Sequence, residues 1–441
     1  MLSPEKLPLA INELDMGAII KKMRKILGMH QEDLARVSLV HRTTISHIEN
    51  GRQDCTDEIW LDIKTGLDVE HLPLFEDERY EFKTALHRWY DVISERNWEQ
   101  AQKLCEHLSV IKLLPHDVEL NTLFSLFECR LQIAQKNLEP AEKTLVEFDL
   151  ALHEPSETML YHYNYNRGTL NYMRNRFGVS LDFYLKTLAL SKPRSDNNDV
   201  LYFAISRCYD WLGYYAKSIT FLNAAIEQRQ IGKNNVPEFH LYNNLGRCYA
   251  TIGCLDKADK ALRKALAIAK KIYAANENAE TRAQIGLVYI NYALIFRNAK
   301  RWRRAIEYVD MALDFFEHGT DYELNATYQK LRCSIQIRRY AAYGTLLDET
   351  IERTKDNDTY SILFQTLKDM TNIDDQVAKH LETVIVPELL AKSYMFLALD
   401  CCEFLISFYE TQSRSYKQRS AGVLRIIHEI TSRMREGCII E

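Results

Sequence analysis

Apolar residues recur at steps of three and four over almost the whole of this 441-residue chain. That spacing lines one face of an α-helix, because positions i, i+3, i+4 and i+7 form a stripe on a 3.6-residue period. No segment alternates apolar and polar residues between turn signals, as a half-buried strand would. Glycine and proline are sparse, 15 and 9, so little interrupts the pattern. It predicts an all-α chain.

From about residue 78 onward the helical pattern repeats. Short breaks fall at Asn97, Asn137, Arg176, Gly213, Gly253, Lys300 and Arg339. Most are followed by an aromatic or apolar residue and then a small one, as in Trp98-Glu99-Gln100-Ala101, Leu138-Glu139-Pro140-Ala141 and Trp302-Arg303-Arg304-Ala305. The small residues Ala101, Ala141, Ser180, Ser218, Ala258 and Ala305 lie 40, 39, 38, 40 and 47 positions apart. A near-constant period of this size signals helical hairpins stacked into a solenoid.

The unit over residues 241–253, with Tyr242, Gly246 and Tyr249 and running on to Ala258 and Ala265, resembles a tetratricopeptide repeat. Small residues at Gly246, Ala258 and Ala265 permit a tight helix crossing. Units around Tyr202, Tyr209, Ser218 and Ala225, and around Tyr289, Ala293, Ala305 and Ala312, follow the same plan. Eight or nine hairpins are expected, with long helices or links, since the period exceeds the usual value of about 34. The resemblance implies a right-handed superhelix. Its packing accounts for the 25 tyrosines and 17 phenylalanines.

In such a stack the first helix of each pair lines the concave face. With Leu245 and Tyr249 facing the core, His240, Asn243, Arg247 and Thr251 face the groove. Arg207 and Asp210 stand one repeat earlier, and Asn164, Asn166 and Asn291 lie on corresponding helices. Asparagine offers a donor and an acceptor together, which suits a peptide backbone. Arginine can clamp a carboxylate with two bonds. Asn164, Asn166, Arg207, Asp210, His240, Asn243, Arg247 and Asn291 are therefore the candidate peptide-binding residues, although each could equally make contacts within the array.

The segment before the repeats follows a different plan. Residues 31–51 read as a helix, a break and a second helix, with Leu34 before the break and Ile45 and Ile48 turned inward after it. Arg42, Thr43, Ser46 and His47 are left outward, side chains suited to base edges and phosphates. Residues 16–72 resemble a DNA-binding domain of the lambda-repressor type, with a first helix ended by Gly28. The resemblance pairs Arg24 with Glu49 and is carried further by Asn50-Gly51. It implies that Gln31 reaches phosphate or base, that Arg42 and Thr43 read bases, and that Asn50 holds a phosphate. Gln31, Arg42, Thr43, Thr44, Ser46, His47 and Asn50 form the candidate DNA-binding set. Thr56 is expected to cap a further helix over residues 57–67. Leu39 replaces the family's turn glycine, Ser38 replaces an apolar residue so that Val37 is expected to supply that packing, and His41 replaces a serine cap.

Charge is uneven along the chain. Residues 16–53 hold seven cations and three carboxylates, a net +4, which leaves −9 for the remainder of a chain at −5. A basic head on an acidic body fits localised phosphate contact. No window approaches 18 apolar residues, which argues against a membrane span. The first residues lack the apolar run of an export signal. Ten cysteines without C-x-x-C spacing read as reduced, mostly buried thiols, not as disulfides or a zinc site. Phosphate-loop, dinucleotide, zincin and serine-hydrolase motifs are absent, so no enzyme, cofactor or metal is expected.

A lambda-repressor-like head before a long tetratricopeptide array resembles the Rap/Rgg/NprR/PlcR/PrgX family of quorum-sensing regulators, arbitrium receptors included. The resemblance implies a cytoplasmic homodimer in which residues 16–72, after an extension over 1–15, bind an inverted-repeat operator in double-stranded DNA. Residues 73–441 would bind a short signalling peptide and dimerise. The alternatives are a repeat protein that sequesters a partner such as a response regulator, and a scaffold with a vestigial helix-turn-helix.

Overall fold

The computed structural model describes residues 16–67, 76–95, 97–109, 117–151, 155–191, 198–229, 236–337, 340–392, 394–411 and 417–435. The expected extension over 1–15, the end of the head at 68–72 and the break at Arg339 lie outside the described residues. Among the described residues all regular structure is helical, 23 α-helices and one π-helical turn. The chain divides into two compact units, Met1–Arg174 and Asn175–Glu441. That boundary falls inside the array, not at its start.

The head consists of α1 (Met16–Ile26), α2 (Gln31–Ser38), α3 (Arg42–Glu49) and α4 (Asp57–Leu67). Its core is Ile20, Met23, Leu34, Val40, Ile45, Ile48, Trp60, Ile63 and Leu67. Thr56 receives the Ile59 N–H, as a cap should. The α2–α3 turn passes through Leu39 at φ 59°, with the side chain 91% exposed. The family's glycine conformation is thus kept without the glycine, at a cost of roughly 1–2 kcal/mol. His41 does cap α3: its Nδ1 accepts the Thr43 N–H at 3.4 Å.

One packing expectation is reversed. Val37 is 47% exposed, whereas Ser38 is buried at 3%. The cause lies on α4, where a Cβ on Gly66 would stand 2.7 Å from the Ser38 backbone nitrogen. At that approach only small side chains fit. The Ser38 hydroxyl donates to the Leu34 carbonyl at 2.7 Å, which satisfies it inside the core.

The array runs as helical hairpins. In the first unit these are α5 (Glu76–Ser94) with α6 (Trp98–Leu108), α7 (Val118–Ala134) with α8 (Leu138–Ala151), and the single helix α9 (Glu157–Met173). The second unit begins with α10 (Phe177–Leu190). It continues with α11 (Asn198–Trp211) and α12 (Tyr215–Arg229), α13 (Glu238–Thr251) and α14 (Leu255–Ala275), α15 (Ala279–Asn298) and α16 (Trp302–Leu313), and α17 (Asp321–Gln336) and α18 (Tyr340–Thr354). The last pairs are α19 (Asp358–Thr371) with α20 (Asp375–His380) and α21 (Val386–Ala391), and α22 (Met395–Thr411) with α23 (Lys417–Arg435).

The repeated small residues sit where the helices cross: Ala101, Ala141, Ser180, Ala258 and Ala305 are fully buried and Ser218 nearly so. The turns share one device. Lys136, Asn175, Gly213, Gly253 and Lys300 all adopt positive φ. After four of them the next N–H reaches back five residues, Asn137 to Gln132, Tyr214 to Tyr209, Cys254 to Tyr249 and Arg301 to Phe296. This is a Schellman closure, which satisfies the carbonyls left over at a helix end. Within the second unit α23 packs on α12, and one apolar cluster runs from Phe203 to Ile430.

Candidate nucleic-acid interface and groove

The head's site begins with its buried scaffold. Arg24 Nε donates to Glu49 Oε1 at 2.6 Å and Nη2 to Oε2 at 2.9 Å, tying α1 to the end of α3. Arg24 Nη1 also closes on the Met29 carbonyl at 2.7 Å. Burial works to raise the Glu49 pKa, but hydrogen bonds from Arg24 and Gln31 outweigh it and hold the carboxyl below its ordinary range. With Ile45 and Ile48 buried below it, α3 has one orientation and one outward face.

Arg42, Thr43, His47 and Asn50 are exposed on that face, with Thr44 and Ser46 half-buried at its edges. Gln31 stands apart from them, since its Nε2 donates to Glu49 Oε2 at 2.8 Å. Asn50 Nδ2 donates to the Ser46 carbonyl at 2.7 Å. Arg42 Nη1 lies 3.0 Å from Glu32 Oε1. Glu32 is a neighbour that the sequence reading did not single out. Chemically the face offers a guanidinium fork, hydroxyls, an imidazole and an amide, the groups that read base edges and hold phosphates.

The groove residues of the second unit fall into pairs. Asn291 Nδ2 on α15 donates to Asn243 Oδ1 on α13 at 2.8 Å. Arg247 on α13 forms an ion pair with Asp210 on α11. Burial opposes the Arg247 charge, but Asp210 outweighs it and raises the pKa. Arg207 lies over the Phe203 ring, 5.9 Å from its centroid, and His240 lies against Phe203 and Phe239. In the first unit Asn164 and Asn166 are buried, and Asn166 Nδ2 on α9 donates to the Leu126 carbonyl on α7 at 2.6 Å. Asn166, Asp210, Asn243, Arg247 and Asn291 therefore all bridge neighbouring first helices.

Three more arginines also link first helices and were not singled out from sequence. Arg130 on α7 donates to Tyr165 and Thr169 on α9, each at 3.0 Å. Arg297 on α15 donates to Gln329 on α17 at 2.9 Å, and Arg332 on α17 pairs with Asp400 on α22. The signal was present: Arg130, Arg167, Arg207, Arg247, Arg297 and Arg332 fall on six successive first helices, at intervals of 37, 40, 40, 50 and 35.

Fold and site together define a class: a helix-turn-helix head followed by a tetratricopeptide array, a fold similar to that of solved NprR and Rap proteins. Residues 20–72 match the helix-turn-helix family model and residues 239–272 the tetratricopeptide-repeat model. A similar curated protein is the transcriptional activator NprA of Geobacillus stearothermophilus, 24% identical over 237 residues. That match covers 52% of this chain and 56% of the activator, so the chain spans about half the length of its relative. The fold also resembles that of NprR in complex with its cognate peptide NprX, at TM-score 0.66 and 19% identity, covering 80% of this chain and 99% of that one. A Rap protein complexed with competence and sporulation factor gives TM-score 0.65 and 18% identity over 81% of this chain and 99% of its own. No helix among the described residues is long and apolar enough to cross a membrane.

Proposed function

We propose that this chain is a sequence-specific DNA-binding transcription regulator whose repeat domain binds a short signalling peptide in its concave groove. The observation that carries the DNA half is the α3 face. Arg42, Thr43, His47 and Asn50 point outward from a helix whose other side is pinned by Ile45, Ile48 and the buried Arg24–Glu49 pair. A recognition helix needs both properties, exposed readers and a rigid mount. One such helix covers only a few base pairs, so the proposal includes a homodimer on an inverted-repeat operator, acting in the cytoplasm.

The peptide half is supported by the bridging side chains along the first helices. Amides and guanidiniums that already link Asn243 to Asn291 and Arg247 to Asp210 can exchange those partners for a peptide backbone or carboxylate. A ligand touching several repeats at once would shift the packing between them by its differential affinity and no more. The NprR and Rap structures, each solved with a peptide or factor bound, favour this reading over a bare scaffold. Selection of randomised duplex DNA by the full-length chain tests it, repeated with synthetic peptides encoded beside the gene. An inverted repeat whose affinity changes with one peptide supports the proposal. Binding that is indifferent to sequence and to every peptide overturns it.

A further inference from the structure

We propose that Glu32 positions Arg42 for base reading, and so sets how selective the α3 face is; this rests on the DNA-binding reading above. Glu32 is the second residue of α2 and Arg42 the first of α3, with Oε1 and Nη1 3.0 Å apart. The two side chains remain 68% and 60% exposed. An ion pair that open to water contributes little to stability, so the fold does not require it. A carboxylate on a phosphate-facing surface also repels the backbone, a cost to affinity that calls for a return in another property.

The neighbouring groups are already engaged. Gln31 donates inward to Glu49, and Asp33 pairs with Arg36 at 3.2 Å. Glu32 is therefore the carboxylate that faces Arg42. The guanidinium carries five donors in a fixed fork. With Nη1 held by Glu32, the remaining edge can present two parallel N–H groups to guanine O6 and N7. Without that hold the flexible side chain swings to the nearest phosphate, which attracts it on any sequence. Glu32 thus trades affinity for discrimination, an element that acts by disfavouring wrong partners.

The test uses full-length wild type, E32Q, R42A and the double variant. Each is selected on randomised duplex DNA, then titrated over a salt series against its best duplex and a scrambled one. Wild type is expected to prefer one base at the Arg42 position at least about fivefold, the low end for a bidentate contact. E32Q should lose most of that preference, bind the scrambled duplex more tightly, and steepen the dependence of log Kd on log salt by about 1 as Arg42 moves to a phosphate. In the R42A background E32Q should leave base preference unmoved. If E32Q melts at the wild-type temperature yet keeps the same motif and salt slope, the positioning role is overturned while DNA binding stands. If wild type selects no motif at all, the DNA-binding reading fails and this inference with it.

Discussion

Arg24 and Glu49, 25 residues apart, are joined by two buried hydrogen bonds of 2.6 and 2.9 Å, with the carboxylate taking a third from Gln31. The pair fixes the end of α3 to α1. Removing one partner of a buried ion pair costs about 3–5 kcal/mol, because the other charge is left without its counterion. Glu49→Ala should therefore lose most hydrogen-exchange protection over residues 20–67 while the array keeps its own. Wild-type protection in the head would contradict the role given to the pair.

The same carboxyl predicts an acid limit. Glu49 is held below its ordinary range when folded. A depressed pKa contributes stability that is fully present above the unfolded value of about 4.3 and is lost as pH falls through the folded one. The head of wild type should lose stability below about pH 4.3, and Glu49→Gln should flatten that dependence. Chemical denaturation followed at a head-specific probe across pH 3–6 measures it; equal slopes for the two chains would refute the assignment.

Leu39 occupies a glycine conformation with its side chain in water. Leu39→Gly removes the left-handed penalty and adds backbone entropy to the unfolded chain, for a net gain of up to about 1 kcal/mol. A rise in the head's denaturation midpoint is expected. A loss of more than about 1 kcal/mol would show that Leu39 makes a contact outweighing its strain.

Gly246 is required for a different reason, since its φ is ordinary. A Cβ there would meet Leu262 Cδ2 at 2.5 Å and Cγ at 2.6 Å, across the α13–α14 crossing. Gly246→Ala should cost about 1–3 kcal/mol by overpacking. Gly246→Ala combined with Leu262→Ala should recover part of it. Thermal melts of the three variants decide the point, and an unchanged melting temperature in the single variant would rule out the close crossing.

Asp210 and Arg247 should behave as a coupled pair. Arg247→Ala strands a carboxylate that is only 9% exposed, at about 3 kcal/mol. Asp210→Asn in the same chain should return much of that, a coupling that a double-mutant cycle reads directly. Additive losses would mean that the two charges do not stabilise one another. Peptide titration of the same variants separates a bridging role from a binding one.

Much of this was legible in the sequence where neighbours in sequence decide the outcome. Ile45 and Ile48 point inward because three residues make nearly one turn, and Ala101, Ser180, Ala258 and Ala305 mark the crossings because each hairpin repeats the same local problem. Turn chemistry was legible at Gly213 and Gly253 but not at Lys136, where a strained lysine replaces glycine. What was not legible depended on distant chain. Ser38 rather than Val37 is buried because Gly66 approaches it from 28 positions away. Asn243 finds its amide partner 48 residues on, and Gln31 turns from the reading face because Glu49 draws it inward. No local pattern encodes those choices.

The most direct test of the central claim is selection on randomised duplex DNA with wild type and Arg42→Ala in parallel. Wild type is expected to recover an inverted repeat with half-sites about one helical turn, or a multiple, apart. Arg42→Ala should keep that symmetry and spacing while losing preference at one base pair in each half-site, a change of about 1–3 kcal/mol at that position. An Arg42→Ala motif identical to that of wild type would contradict the reading of α3 as the helix that recognises DNA.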